Sequence, residues 1–313
     1  MKRLALAFSA LFAVTLHAQD TSLHYFLIEG EPWKIAAAGY DFTDGLCVDA
    51  AGNLFFTDVK SGKGIYKIDV ATGKTELALD NLPGISGLQI GPDGRFYACQ
   101  NKAQRVVAIT MKGEVEELVA GVKCNDLVVS KAGHVYFTET PTKRVHLVTK
   151  EKKHVIADEG HVTRPNGITL SADEQALYVS DHGGKHVWAW KIAADGTLTD
   201  AAPYMTMWLP TRSEPQPEKG EKQNASPPKG GAPKEEAFGD GATTESRGRI
   251  FVTTELGVQI FDPAGRLSGI IAKPAPERKV VSVEFAGKDH DVLYVAAGDS
   301  IFSRKVKVTG YFR

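Results

Sequence analysis

The fold is decided by the stretch Arg164-Pro165-Asn166-Gly167-Ile168-Thr169-Leu170-Ser171, which is followed after a short turn by Ala176-Leu177-Tyr178-Val179-Ser180-Asp181. An Asn-Gly pair leads into a short apolar strand, and the second strand is rich in aromatic and β-branched residues. Stretches of the same form recur along the chain, so a structural repeat is the first inference.

Six stretches begin in this way, and their first residues are separated by 42, 39, 41, 74 and 42 positions. Five of the six units therefore share one period, while the fourth carries an insertion of about 33 residues. We refer to the first residue of each opening as a ring residue. The openings are Asp44-Gly45-Leu46, Ser86-Gly87-Leu88, Asn125-Asp126-Leu127, Asn166-Gly167-Ile168, Asp240-Gly241-Ala242 and Ser282-Val283-Glu284.

The first unit shows the internal pattern of the repeat. Its four short runs, 45–49, 53–58, 64–69 and 74–79, are rich in Val, Ile, Leu, Phe and Tyr and are bounded by Gly, Asp or Asn. Such runs are typical of β-strands joined by tight turns. Six units of this kind predict an all-β fold, a six-bladed β-propeller with four-stranded antiparallel blades.

The N-terminal segment 22–43 lies upstream of the first unit and contains two apolar runs. Because closing the ring removes exposed sheet edges, we expect strands from this segment to complete the final blade. The C-terminal segment 304–309 is the alternative closing strand.

The N-terminus has the three parts of a secretory signal. Lys2 and Arg3 precede an apolar run at 4–16, and a short polar segment follows. That run is too short to span a bilayer, so we expect a signal peptide at 1–18 and a single propeller domain at 19–313. The protein is therefore predicted to be exported, to the periplasm or the extracellular space.

The insertion at 211–237 is rich in Pro, Lys, Glu and Gly. It has little apolar surface to offset the entropy of ordering, so we expect a disordered excursion on the surface.

The 313 residues are 42% hydrophobic and carry a formal net charge of −1. This composition is typical of a soluble globular protein and shows no electrostatic preference for nucleic acid or anionic membranes. We expect no nucleic-acid partner, and no membrane association once the signal is removed. The three cysteines, Cys47, Cys99 and Cys124, match no zinc or redox spacing, and at least one must be free.

The ring residues carry the chemistry that the repeat predicts. The first strand of a propeller blade lines the central axis, so residues in one register at its start should surround one end of the channel. All six have a side-chain oxygen: Asp44, Ser86, Asn125, Asn166, Asp240 and Ser282. Two carboxylates and two amides form an oxygen donor set that suits Ca²⁺, and Mg²⁺, Mn²⁺ or Zn²⁺ are also compatible with it.

The alternative interpretation is that Asp-Gly and Asn-Gly pairs only form turns. The shared register of Asp44, Asn125, Asn166 and Asp240 favours the metal site, because turns do not require oxygens aimed at one axis. Four histidines do not follow the repeat and are interpreted as strand or loop residues: His134, His161, His182 and His186.

Several units resemble one known family. The units PNGITLSADEQALYVSD, CNDLVVSKAGHVYFTE, DGATTESRGRIFVTTELGVQIFDPAGRLSGII and VEFAGKDHDVLYVAAG are similar to those of the senescence marker protein, gluconolactonase and luciferin-regenerating enzyme family of six-bladed propellers. Paraoxonase and diisopropylfluorophosphatase look like more distant relatives. The resemblance covers essentially the whole mature chain.

The resemblance implies a catalytic divalent cation, most often Ca²⁺, held by a Glu, two Asn and an Asp. These positions carry over to Asn125, Asn166 and Asp240, while Asp44 stands where the family has the Glu. Asp keeps the charge but is one methylene shorter. A substrate-contacting arginine of some members lies two residues before the first asparagine, where this chain has Lys123, so Lys123 and Asn125 are the predicted substrate contacts.

The predicted function is that of a metal-dependent hydrolase, which opens a sugar lactone such as gluconolactone with metal-activated water. Asp240 is the predicted general base, because a carboxylate at the metal can accept the proton of the water. Two alternatives stay open: aryl ester or phosphotriester hydrolysis at the same cation, and a non-catalytic propeller that binds a ligand or partner around a structural Ca²⁺. The particular lactone, the native metal and the oligomeric state are left open.

Overall fold

The structure is a computed structural model that describes residues 22–60, 63–210 and 235–312. The predicted signal peptide at 1–18 and residues 211–234 of the predicted insertion lie outside the described residues. Within these ranges, no helix combines the length and apolarity needed to cross a bilayer.

The described residues form β-strands joined by turns, with two single-turn 3₁₀ helices at Leu23–Tyr25 and Thr140–Thr142. The first twelve strands are β1 (Lys34–Ala38), β2 (Thr43–Val48), β3 (Leu54–Asp58), β4 (Gly64–Ile68), β5 (Thr75–Asp80), β6 (Ile85–Ile90), β7 (Phe96–Gln100), β8 (Arg105–Ile109), β9 (Val115–Ala120), β10 (Leu127–Val129), β11 (Val135–Glu139) and β12 (Arg144–Val148). The next twelve are β13 (His154–Glu159), β14 (Pro165–Leu170), β15 (Ala176–Asp181), β16 (His186–Ile192), β17 (Leu198–Thr206), β18 (Ala242–Thr244), β19 (Ile250–Thr254), β20 (Gly257–Phe261), β21 (Leu267–Ala272), β22 (Val280–Ala286), β23 (Val292–Ala297) and β24 (Ser300–Lys305).

The strands form six four-stranded antiparallel sheets, which confirms the predicted six-bladed propeller. Blades one to five are consecutive meanders that begin with β2, β6, β10, β14 and β18. The second strands β3, β7, β11 and β19 are buried along their whole length. They pack against neighbouring blades on both faces, so each begins with at least three consecutive apolar residues and does not alternate apolar with polar ones.

The sixth blade is closed by the N-terminus, as the sequence predicted. Its sheet has the order β1-β24-β23-β22, so β1 is the outermost strand beside the C-terminal strand β24. The segment before β1 also contributes to the core, since Phe26 is 1% exposed and meets Phe251 edge-on at 6.1 Å between ring centroids. All three cysteines are buried free thiols.

We predict that Phe26→Ala lowers the free energy of unfolding by about 3–5 kcal/mol, because it leaves a cavity in the core that joins the two termini. Tyr25→Ala is the matched control, since Tyr25 is 60% exposed, and should change stability by less than about 0.5 kcal/mol. Urea unfolding followed by circular dichroism measures both. A loss of less than about 0.5 kcal/mol for Phe26→Ala as well would show that the Phe26 side chain does not stabilise the fold.

Candidate functional site

The ring residues lie where the backbone departs from regular pairing. The first strands of four blades contain a register shift at their start, between Asp44 and Cys47, Ile85 and Gly87, Pro165 and Ile168, and Val280 and Ser282. A β-bulge adds a residue to one strand and redirects the side chains beside it. We call this end of the central channel the mouth.

The structure brings three of the four predicted ligands together. Asp44 and Asp240, from blades one and five, interact electrostatically, and the side chain of Asn166 hydrogen-bonds to Asp240. Asn125 lies in the same register and is half-buried, with its backbone N–H bonded to the carbonyl oxygen of Thr138 at 2.8 Å. Asn166 and Asp240 are thus in direct contact, and Asp44 is close enough to Asp240 for their carboxylates to repel each other.

The two serines of the ring have a different role. Ser86 Oγ donates to the carbonyl oxygen of Asn125 at 2.6 Å, and Ser282 Oγ accepts from the backbone N–H of Leu46 at 3.4 Å. Both hydroxyls thus link neighbouring blades.

Burial and mutual repulsion dominate the electrostatics of the mouth. Burial raises the pKa of Asp44, opposed by a hydrogen bond from the Gly45 backbone and reinforced by the nearby carboxylate of Asp126. Burial also raises the pKa of Asp240 well above its ordinary value, and Asp44 and Asp126 add to the effect. The pKa of Asp126 itself is raised by burial to about 7. Carboxylates that share a buried site in this way favour a bound cation, which would neutralise them.

The donor set fits a hard divalent cation. Across the described ranges, no group of three or more His, Cys, Asp and Glu side chains is arranged to hold a metal. The ring instead combines two carboxylates with two amides, the oxygen donors that calcium takes in proteins. Asp44, Asn125, Asn166 and Asp240 are the residues that would hold the ion.

His182 is a site residue that sequence reasoning missed. Its Nδ1 lies 3.6 Å from Asp240 Oδ2 and 3.3 Å from Asn166 Nδ2, and its ring meets Phe238 edge-on at 5.5 Å. Burial, followed by the charge of Arg164, lowers the pKa of His182, so the imidazole is neutral at physiological pH. The sequence feature that could have identified His182 is its position directly after β15, where the second strand of the blade returns to the mouth.

Lys123, predicted with Asn125 to contact the substrate, has an exposed side chain, and its backbone N–H donates to Glu139 Oε1 at 2.8 Å.

Below the ring, the channel contains a cavity of about 30 Å³ lined in part by Asp126, Thr243 and Glu284. Thr243 Oγ1 donates to Glu284 Oε1 at 2.8 Å. The cavity is about large enough for one water molecule.

The chain belongs to the SMP-30/Gluconolactonase/LRE-like region family, which matches residues 42–299 and confirms the family that the repeat units resemble. Gluconolactonase from Zymomonas mobilis subsp. mobilis is 25% identical over 251 residues, which cover 73% of this chain and 65% of that protein. The chain thus spans slightly less than two thirds of that relative.

Two solved structures are similar in fold. A gluconolactonase from Xanthomonas campestris has a TM-score of 0.73 at 18% identity, with 91% of this chain and 92% of that one covered. Regucalcin from Agrobacterium tumefaciens, a calcium-binding protein, has a TM-score of 0.67 at 16% identity, with 90% and 97% covered.

We predict that Gly167→Ala disrupts the ring. A Cβ at Gly167 would lie 2.1 Å from the carbonyl oxygen of Asp240, so the fourth and fifth blades would have to separate beside two predicted ligands. Gly94→Ala is the control: its φ of +76° makes alanine unfavourable by about 1–2 kcal/mol, but nothing lies within 4 Å of the added methyl group. Isothermal titration should show weakened calcium binding for Gly167→Ala alone. Retained binding would mean that blade spacing does not control the ring.

Proposed function

We propose that this chain is a divalent-cation-dependent hydrolase that opens a lactone, with a sugar lactone such as gluconolactone as its substrate class and calcium as the cation. One observation supports the proposal above all. Two half-buried carboxylates from different blades repel each other at the channel mouth beside a hydrogen-bonded amide, in a member of a family that includes gluconolactonases.

A bound divalent cation would supply Lewis-acid polarisation of the lactone carbonyl and of a water molecule. The residues of the chain bind the cation and position the substrate. Asp44 anchors the donor set from the first blade, and Asn125 and Asn166 contribute neutral oxygens that limit the negative charge of the site. Lys123 contacts a hydroxyl or carboxylate of the substrate.

Asp240 is the proposed general base and accepts the proton of the attacking water. Its Oδ2 lies 3.6 Å from Nδ1 of the neutral imidazole of His182, and its carboxylate accepts hydrogen bonds from the backbone N–H of Gly241 and from the side chain of Asn166. The hydrogen bonds from Gly241 and Asn166 hold the Asp240 carboxylate in one orientation, so that it can receive the proton at a defined place. Phe238 lies against His182 and excludes water from that side.

We further propose that the protein acts outside the cytoplasm, as the N-terminal pattern at 1–18 predicts. Fractionation of cells that express the full chain, with detection of the mature N-terminus by mass spectrometry, tests this location.

We predict that Asp240→Ala lowers kcat for lactone opening by at least about 100-fold while the far-UV spectrum is unchanged. The melting temperature of the metal-free protein should be unchanged or higher, because a buried, repelled carboxylate is removed. Asp289→Ala is the matched control, since Asp289 is exposed in a turn at the opposite end of the channel. Unfolding of the Asp240 variant would assign the residue a structural role instead.

We predict that EDTA abolishes lactone opening and that calcium restores it. Calcium at about 100 times its Kd should stabilise the wild-type fold by about 2.7 kcal/mol and should not stabilise Asp240→Ala. A pH-stat assay on a panel of lactones, aryl esters and phosphotriesters identifies the substrate class. Calcium-dependent stabilisation without turnover of any compound would favour a binding propeller, and preferential turnover of esters would favour the other hydrolase.

A further inference from the structure

Three buried carboxylates occupy one position of the repeat. Asp58, Glu139 and Asp181 end the second strands β3, β11 and β15 at the mouth, and they are 3%, 6% and 3% exposed. Buried carboxylates require hydrogen-bond donors. The donors here include backbone N–H groups of the segment that leads into the ring residue of the same blade. We call these three residues clamp carboxylates.

In the first blade, Asp58 holds the two amides ahead of the ring residue. Its Oδ2 accepts from the N–H of Asp41 at 2.9 Å, and its Oδ1 accepts from the N–H of Phe42 at 3.0 Å. These amides lie three and two residues before Asp44, in a segment that precedes β2. Because buried N–H groups must be bonded, the carboxylate provides the acceptors that a neighbouring strand would otherwise supply.

In the fourth blade, Asp181 repeats this arrangement. Its Oδ1 accepts from the N–H of Arg164 at 2.9 Å, and its Oδ2 accepts from the N–H of Thr163 at 3.0 Å and from the Thr163 hydroxyl at 2.5 Å. The two amides again lie two and three residues before the ring residue, here Asn166. Charge-assisted bonds of this kind are about twice as strong as neutral ones.

In the third blade, Glu139 makes the equivalent contact with one oxygen only. Oε1 accepts from the N–H of Lys123 at 2.8 Å, two residues before Asn125. The second oxygen, Oε2, accepts from the Thr142 hydroxyl at 2.6 Å and lies 3.2 Å from His146 Nε2. The second oxygen of Glu139 is therefore held by the side chains of Thr142 and His146.

A second histidine extends the contacts of this clamp. His146 Nδ1 lies 3.0 Å from His154 Nε2, and the His146 ring stacks on Phe137 at 4.5 Å. Since the carboxylate of Glu139 can only accept, a neutral His146 donates from Nε2 to it and accepts at Nδ1 from His154. The proton positions of both imidazoles thus depend on the charge of Glu139.

We propose that the clamp carboxylates are positioning residues: each fixes the backbone two or three residues before a predicted cation ligand, and thereby sets where that ligand's oxygen lies. This inference rests on the proposed function, because it assigns the clamps to the same site. In the fifth blade Thr254 occupies the equivalent position and donates to the carbonyl oxygen of Gly257 at 2.9 Å, so the ligand Asp240 is held without such a carboxylate.

The first test compares Asp181→Asn with Asp262→Asn. Asp262 is 6% exposed and accepts from the N–H groups of Ala264 and Arg266 at 2.9 and 3.0 Å, in a turn at the opposite end of the channel. Asparagine replaces one acceptor oxygen with an NH₂ group that cannot accept. Calcium titration should show affinity weakened by about 10-fold or more for Asp181→Asn and changed by less than about twofold for Asp262→Asn.

Hydrogen exchange on the metal-free protein gives a second readout. The amides of Thr163 and Arg164 should lose protection in Asp181→Asn and keep it in Asp262→Asn. Wild-type protein that binds no calcium contradicts the proposed function. Wild-type binding that Asp181→Asn leaves unchanged, or that both variants weaken equally, contradicts the clamp inference alone.

The second test uses Glu139 in the third blade, where the conservative substitution Glu139→Gln should preserve calcium binding. In Glu139→Gln the side-chain carbonyl can accept from Lys123 N–H while the NH₂ group donates to His146 Nε2. Calcium affinity should stay within about twofold of wild type, whereas Glu139→Ala should weaken it by about 10-fold or more.

The glutamine variant should also move the proton of His146 from Nε2 to Nδ1, which ¹⁵N NMR of the imidazole detects. A merely structural residue would lower the melting temperature of the alanine variant without changing calcium affinity. That result, or a glutamine variant as impaired as the alanine variant, would overturn the proposal.

Discussion

Hydrogen bonds from hydroxyl groups of one blade to carbonyl groups of the next are the constraint on which the site depends. Second-strand hydroxyls donate across four blade boundaries at 2.8, 2.7, 2.8 and 3.3 Å: Thr57 to Ile85, Thr138 to Asn166, Ser180 to Asp240 and Thr253 to Val281. Two of these acceptor carbonyls belong to predicted cation ligands. Asn166 and Asp240 are therefore each placed by their own blade and by the blade before it.

The glycines after the ring residues let the blades approach this closely. A Cβ at Gly87, Gly167 or Gly241 would come within 2.1 to 2.7 Å of backbone atoms of the following blade. Asn-Gly and Asp-Gly pairs are good turn formers, but in blades four and five the glycine lies at the start of the first strand and meets its neighbour's backbone. Close packing near the axis in turn keeps short Asp and Asn side chains within reach of one another.

The same closeness makes the mouth electrostatically unfavourable without a counter-ion. Asp44, Asp126 and Asp240 each have a raised pKa because burial disfavours the charged form. Nearby carboxylates add to it: Asp126 for Asp44, Asp44 and Asp126 for Asp240, and Glu284 for Asp126. A fold selected for stability alone would replace such carboxylates with neutral groups. Their presence at the one place where the blades converge is the physical reason to interpret the mouth as a cation site.

Strand periodicity and repeat spacing are local properties, so the amino-acid pattern alone was enough to predict the blade number, the four-stranded units and the equivalent positions of Asp44, Asn125, Asn166 and Asp240. It did not reveal that the two ring serines, which are not among the predicted ligands, bond to the backbone of neighbouring blades. Nor could it assign roles to His182 or Glu139, because their partners come from segments distant in the sequence: Asp240 for His182, and the backbone of Lys123 for Glu139. These roles depend on bulges, loop paths and contacts between blades, which arise when the chain folds and determine where a side chain points.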